Sequence, residues 1–223
     1  MKNIGFLPLL ILFTTALAAQ SAAPAEQSDP QAKKVLDRVR KKYEGYKTVE
    51  VAFTLASEVP GQPKDTQKGT VGQQGAKFRL DMPQQIIASD GKTTWVYLKQ
   101  TNEIQINDAD PGSDNAFFTP LDLLRRYEKG DFLFAITDKT TEKGRVLTQI
   151  EFKPKDKSSE YSKLRISIDE KNGAIDGIRA FFKDGSRYQF QITRTTPNKS
   201  FAADYFQLNP KNFPGAHVED LRM

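Results

Sequence analysis

The sequence contains no cysteine and a single histidine, His217, in 223 residues. The first absence removes a thiol nucleophile, thiolate metal sites and disulfides, and with them the cysteine to which a bacterial lipoprotein attaches its lipid. Stability must then come from a hydrogen-bonded sheet and packed apolar side chains. The second absence leaves no other imidazole to share a metal or to build a histidine relay. Also missing are a Gly-x-Ser-x-Gly elbow, a His-Glu-x-x-His helix and a Walker loop. These gaps speak against an enzyme and against a bound cofactor. Long apolar runs are scarce: Ile4 to Leu12, broken by Gly5 and Pro8, is too short for a membrane anchor.

That run follows Met1-Lys2 and precedes Ala16-Leu17-Ala18, the order of basic start, apolar centre and small-x-small cleavage site found in a secretory signal peptide. Residues 1–18 are therefore expected to be removed on export. Residues 19–29, rich in Ala, Pro, Ser, Gln and Glu, are expected to form a flexible leader, and 30–223 a single soluble domain. The formal net charge of +5 is modest. Its basic residues are spread along the chain, not gathered in a tail, which speaks against a nucleic-acid partner.

Asp29-Pro30 supplies an N-cap and a first-turn proline, and Val35, Leu36 and Val39 recur at helical spacing, predicting a short basic helix through Lys42. Beyond Gly45 the period changes to two. Val49 to Leu55, Gln67 to Gln73 and Lys77 to Met82 alternate as strands. The strongest local signal follows: Ser89-Asp90-Gly91-Lys92-Thr93, flanked by Ile86, Ile87, Trp95 and Tyr97, predicts a tight hairpin with positive φ at both central residues. Glu103 to Asn107 closes this first meander. Thr119-Pro120-Leu121-Asp122 then opens a second short helix to Glu128.

From Asp131 the alternation returns in Phe132 to Ile136, Val146 to Phe152 and Leu164 to Ile168. Asn172-Gly173 and Asp184-Gly185 are two more hairpin signals, and Phe201 to Leu208 is the expected last strand. The pattern is mainly β: about eleven strands in a large antiparallel sheet that curls or closes, with two short helices.

Three local patterns invite chemistry. Gly69 to Gly75 has the glycine content of a phosphate loop, but sits in a strand pattern with no helix after it. Asp108, Asp110 and Asp114 with Gly112 could gather oxygen ligands for calcium, yet the position of the closing acid in an EF-hand is Thr119. Lys33-Lys34 and Lys41-Lys42 suit an anionic surface or a solvated face equally. The richer feature is apolar: Phe53, Phe78, Leu80, Trp95, Phe132, Phe134, Phe152, Phe182 and Phe190 form a heavy aromatic supply for one curved sheet. That supply serves an ordinary core or a ligand cavity.

The stretch Lys77-Phe78-Arg79-Leu80, Pro83, Ile86 to Trp95 with its Ser-Asp-Gly-Lys-Thr core, Tyr97, Gln105, Thr119-Pro120-Leu121, Leu123-Leu124 and the ending Phe213-Pro214-Gly215 with Val218, Asp220 and Leu221 resembles the LolA family of periplasmic outer-membrane lipoprotein carriers. The resemblance implies an unclosed antiparallel barrel with helices as a lid over a hydrophobic cavity for lipoprotein acyl chains. The implied cavity positions are Leu36, Phe78, Leu80 and Met82, joined by the aromatic Phe53, Trp95 and Phe134; Pro120, Leu121 and Leu124 form the lid. It implies loading from an inner-membrane ABC-type release complex, delivery to an outer-membrane receptor, and a monomer without cofactor. Gln73-Gln74-Gly75 stands where the family often has a Lys-Arg-Pro turn whose basic residue holds the lid, so lid control is expected to differ. The alternative is a periplasmic lipoprotein-sensing domain of the same fold that binds a partner without transport.

Overall fold

In a computed structural model, which describes residues 28–109, 120–142 and 144–222, the chain folds as two α-helices, one short 3-10 turn (Pro210–Asn212) and twelve strands. The first helix, α1 (Pro30–Glu44), starts where its cap residues demand: the Asp29 carboxylate accepts the Gln31 N–H at 2.7 Å, and Pro30 occupies the first turn. Ala32, Val35, Leu36, Val39 and Tyr43 fall on one stripe, and all are buried. The helix runs two residues past the expected Lys42 and stops at Gly45. No helix among the described residues is long and apolar enough to cross a membrane.

Six strands follow α1: β1 (Val49–Glu58), β2 (Asp65–Gln74), β3 (Lys77–Asp81), β4 (Gln85–Ser89), β5 (Thr93–Leu98) and β6 (Glu103–Asp108). After α2 (Pro120–Lys129) come β7 (Phe132–Glu142), β8 (Arg145–Pro154), β9 (Tyr161–Asp169), β10 (Ala174–Phe182), β11 (Arg187–Pro197) and the short β12 (His217–Asp220). They form one sheet in the order β12-β6-β5-β4-β3-β2-β1-β11-β10-β9-β8-β7. Two antiparallel meanders thus meet at the β1–β11 ladder, while β12 pairs parallel with β6. Because β7 and β12 are both outer strands, the barrel stays unclosed.

The segment from Phe201 to Leu208, expected as the last strand, is a run of turns; the terminal strand is His217–Asp220 instead. Its aromatic residues pack against one another on the sheet surface, with Phe201 stacked on Tyr205 at 4.3 Å and Phe206 edge-on to Tyr205 at 5.0 Å. Gly72 makes room for them: a Cβ there would lie 2.7 Å from the Tyr205 ring. The hairpin at Asp90-Gly91 forms as expected, but only Gly91 has positive φ, +90°. Side chains close the rest of the turn. Asp90 accepts the Lys92 and Thr93 N–H groups at 2.9 Å each, and the Ser89 hydroxyl donates to the Thr93 carbonyl at 3.0 Å. Burial alone would raise the Asp90 carboxyl, but those amide donors hold it below the ordinary carboxylate range.

Outer strands need protection from further pairing. Along β7 the residues leading into α1 supply it: the Asp29 N–H donates to the Phe134 carbonyl at 2.8 Å, Phe134 N–H to Ser28 Oγ at 3.4 Å, and Ile136 N–H to the Asp29 carboxylate at 3.3 Å. Asp29 therefore caps a helix and a sheet edge at once. The rest of β7, Asp138 to Glu142, is polar and charged.

Registers assign the faces. Opposite neighbours share a side, so the inner set runs Phe134–Phe152–Leu164–Ala180 and Ile136–Ile150–Ile166–Ile178–Phe190–Leu55, then Val51–Val71–Leu80–Ile87. Most of these residues join Leu36, Leu124 and Tyr127 of the helices in one buried cluster. Gly69 is a structural necessity within it. A Cβ there would lie 2.5 Å from Met82 Sδ, 2.6 Å from the Phe53 ring and 2.8 Å from the Asp81 carbonyl. Gly69→Ala is expected to destabilise the fold by about 1–3 kcal/mol through overpacking, read as a lower denaturant midpoint with an unchanged slope.

Candidate functional site

The inner face divides into a sealed part and an open part. Under the helices, Leu36, Leu123 and Leu124 are fully buried, and aromatic rings interlock beneath them. Phe53 stacks on Phe190 at 4.0 Å, Phe132 meets Phe152 edge-on at 5.7 Å, and Tyr127 of α2 meets Phe134 edge-on at 5.7 Å. Farther along the same register lie Phe78, Ile87, Val96 and Leu98, and all four are only half-buried. Gln105, opposite Val96, ends the apolar field on β6. The result is an apolar surface closed by helices at one end and partly exposed along β3 to β5.

A polar cluster joins the helices. The Tyr127 hydroxyl donates to the Asp37 carboxylate at 2.6 Å, and Arg40 of α1 pairs with Glu128 of α2 at 3.1 Å while also reaching Glu44 at 3.1 Å. Lys33, 2.7 Å away, and then Tyr127 hold the Asp37 carboxyl below its usual range. Burial, followed by the neighbouring Asp37, pushes the Tyr127 phenol well above its usual value. Sequence reasoning missed this cluster. The α1 spacing puts Asp37 and Arg40 near one face, but nothing local says which element faces them.

Of the expected site residues, Leu36, Phe53, Leu80, Met82, Phe134 and Leu124 meet in the one cluster. Phe78 shares their face through its register with Gln73 but stays half-buried outside the cluster. Pro120 and Leu121 lie in α2, their side chains outside the described residues. Trp95 is a correction. It pairs with Ala88 and, with Ile86, Tyr97, Leu208 and Phe213, forms a second cluster on the opposite face. Alternation decides this: Ile87 and Val96 take the inner side, so Ala88 and Trp95 cannot. Val96 and Leu98 are the inner residues that the sequence reading passed over.

Gln73 is buried, with its side-chain amide donating to the Gly75 carbonyl at 3.4 Å, and Gly75 turns the chain at φ +58°. The glycines of this stretch thus serve strand and turn. Of the suspected calcium loop, Asp110 to Thr119 lie outside the described residues. His217 sits exposed on β12, away from the apolar interior. What the arrangement offers chemically is apolar burial behind a small helical cover.

These features define an open-barrel binding fold with a helical cover. The chain belongs to the family described as outer membrane lipoprotein carrier protein LolA, whose model matches residues 44–209. Among solved structures it is similar to an uncharacterized conserved protein from Thermus thermophilus, at 11% identity over 85% of this chain and 99% of that one, with a TM-score of 0.56. It also has a likeness to a putative outer membrane lipoprotein-sorting protein domain from Vibrio parahaemolyticus (14% identity, 81% and 98% covered, TM-score 0.45). A further likeness is to Pseudomonas aeruginosa MucB in its complex with MucA (15% identity, 81% and 62% covered, TM-score 0.40). No curated protein matches the chain.

Two measurements test this geometry. Trp95 emission is expected to stay constant when a fatty-acyl probe is added, whereas Val96→Trp in a Trp95→Phe background should shift to the blue. The Asp37 contribution, from a carboxyl whose pKa is lowered by folding, is fully present above the ordinary carboxylate value and is lost as pH falls through the folded one. The stability gap between wild type and Asp37→Asn should therefore be widest near neutrality and close in acid.

Proposed function

We propose that this protein is a periplasmic carrier that shields the acyl chains of lipoproteins released from the inner membrane and takes them to the outer membrane. The observation that carries the reading is the continuous apolar inner face, sealed under α2 and half-exposed from Phe78 to Leu98, in a chain of the lipoprotein-carrier family. Each methylene withdrawn from water contributes about 0.8 kcal/mol, so a diacyl or triacyl anchor does not cross an aqueous space unshielded. Phe78, Ile87, Val96 and Leu98 form the entry surface, and Leu36, Phe53, Leu80, Met82 and Phe134 the deeper lining, reached when the lid swings away. Pro120, Leu121 and Leu124 lie on that lid.

Residues 1–18 act as the export signal, 19–29 as a leader and 30–223 as the carrier domain, a monomer that works by binding and not by catalysis. Its donor is an ABC-type release complex and its acceptor an outer-membrane receptor. Lid closure rests on Asp37 and Arg40 of α1, which take the place of the basic turn residue that many relatives carry; here Gln73-Gln74-Gly75 stands at that turn.

The test is release of a labelled triacylated lipoprotein from inner-membrane vesicles. Added protein should bring the label into a soluble one-to-one complex. Leu124→Glu, which places a charge in the lid contact, is expected to cut that uptake at least tenfold while far-UV dichroism stays that of a β protein. Failure to release label at any protein concentration overturns the carrier reading, and soluble binding of an added lipoprotein without release would favour a sensing domain.

A further inference from the structure

The outer face of the sheet is covered on one half only. The segment after β11 lies over β2 to β6, where Tyr205 rests against Gly72 and Leu208 and Phe213 pack with Ile86, Ala88, Trp95 and Tyr97. Both helices occupy the inner side. On the outer side of β9, β10 and β11 the ladders place Arg165 directly opposite Arg179, and Phe181 directly between Lys163 and Arg187. Lys153, by alternation on β8, extends the same face and is exposed. Among the described residues, no helix or chain segment crosses this area.

Like charges facing each other across a ladder cost stability. Two acids lie nearby, and both are committed. Glu151 binds Lys163 and Arg165, each at 2.9 Å, and Glu58 at the rim holds Lys64 at 2.8 Å. Arg179 donates to Gln189, a neutral partner, and the exposed Arg187 stands opposite Glu58, which it shares with Lys64. The two cations that Glu151 holds also gather on an aromatic centre: Lys163 Nζ stands 5.1 Å and the Arg165 guanidinium 5.8 Å from the middle of the half-buried Phe181 ring.

We propose that this outer face of β9 to β11 docks on an anionic phospholipid bilayer surface. Three features favour a headgroup layer over an acidic protein. The strands concerned are interior to the sheet, so their backbone groups are spent and no peptide can add as a strand. The larger apolar side chains of the face, Phe181 and, at the β7 edge, Leu133, are separated and half-buried, less than the apolar centre around which protein interfaces are built. And long cationic chains around one aromatic ring match a diffuse layer of phosphate charge, where basic side chains attract and aromatic rings settle at headgroup level. The basic helix α1 is a poorer candidate, since Lys33, Arg38 and Arg40 are paired with acids and Lys42 donates to the Asn172 carbonyl.

Co-sedimentation with phosphatidylglycerol-containing vesicles tests the proposal. Binding is expected to these and not to phosphatidylcholine vesicles, and to fall as salt is raised. Arg179→Gln with Arg187→Gln, both at exposed positions, should weaken it about twenty-fivefold, each neutralised cation removing about fivefold. Lys34→Gln with Lys41→Gln on α1 should leave it unchanged. Equal binding to both vesicles, or loss only in the α1 variant, overturns the proposal. So does wild-type binding to poly-glutamate but not to vesicles, which would point to an acidic protein instead. Formation of a soluble complex with an added lipoprotein, run on the same variants, should be unaffected, so that failure here and failure of the carrier reading are told apart.

Discussion

The ladder between β1 and β11 is the constraint on which the rest depends. Every other antiparallel pairing joins strands that follow one another in the chain, and short turns suffice to set them. This one brings Val49 against Pro197 and Glu58 against Arg187. It fuses two meanders into one sheet, and its register puts Leu55 opposite Phe190 and so brings Phe53 onto the Phe190 ring at 4.0 Å. Slipping it by one residue would send the apolar set of one half to the outside. A loop of that length is costly to close, so the pairing should form late, after local hairpins have made their own faces.

Once that register is set, the two faces of the sheet follow different rules. The inner face must bury an unbroken aliphatic and aromatic field, and among the described residues two short helices do so. They cover the part over β7 to β11 and leave β3 to β5 partly open. The outer face is mostly polar by alternation, and the apolar patch of Ile86, Ala88, Trp95 and Tyr97 needs a cover of its own. The segment from Phe201 to Phe213 provides it, and Lys199 fastens its start to the buried Glu50. One extended segment thus does for the outer face what a helix does for the inner.

How legible was this in the sequence? Strands and turns were, because they are local: Asn172-Gly173 and Asp184-Gly185 mark turns at φ +57° and +88°, and alternation named most inner residues. Trp95 shows the limit. Alternation says that Trp95 and Tyr97 share a side, but not which side, since Val96 and Leu98 make an equally apolar set; only the long-range register through Ile87 and Leu80 decides. The segment from Phe201 to Leu208 misleads for a related reason, since aromatic residues packed on a surface look like those of a strand. The helix-to-helix contacts of Asp37 and Arg40 depend on where a distant helix lands, and no local rule reports that.

On the proposed carrier reading, the helical cover is suited to exchange. Its apolar part, Leu123 and Leu124, contributes about 1.5–3 kcal/mol per fully buried side chain, and an acyl chain entering beneath it offers about 0.8 kcal/mol per methylene to the same surface. On the proposed reading, a few methylenes therefore offset what the leucines give up, and neither state is far below the other. Tyr127 fits this balance better than phenylalanine would. Its ring belongs to the buried set beside Phe134, while its hydroxyl needs Asp37, so moving the helix exposes a group that water satisfies well. A cover held by apolar contact alone would be hard to lift; one held partly by hydrogen bonds, for which water substitutes, opens at modest cost and closes again in the same register.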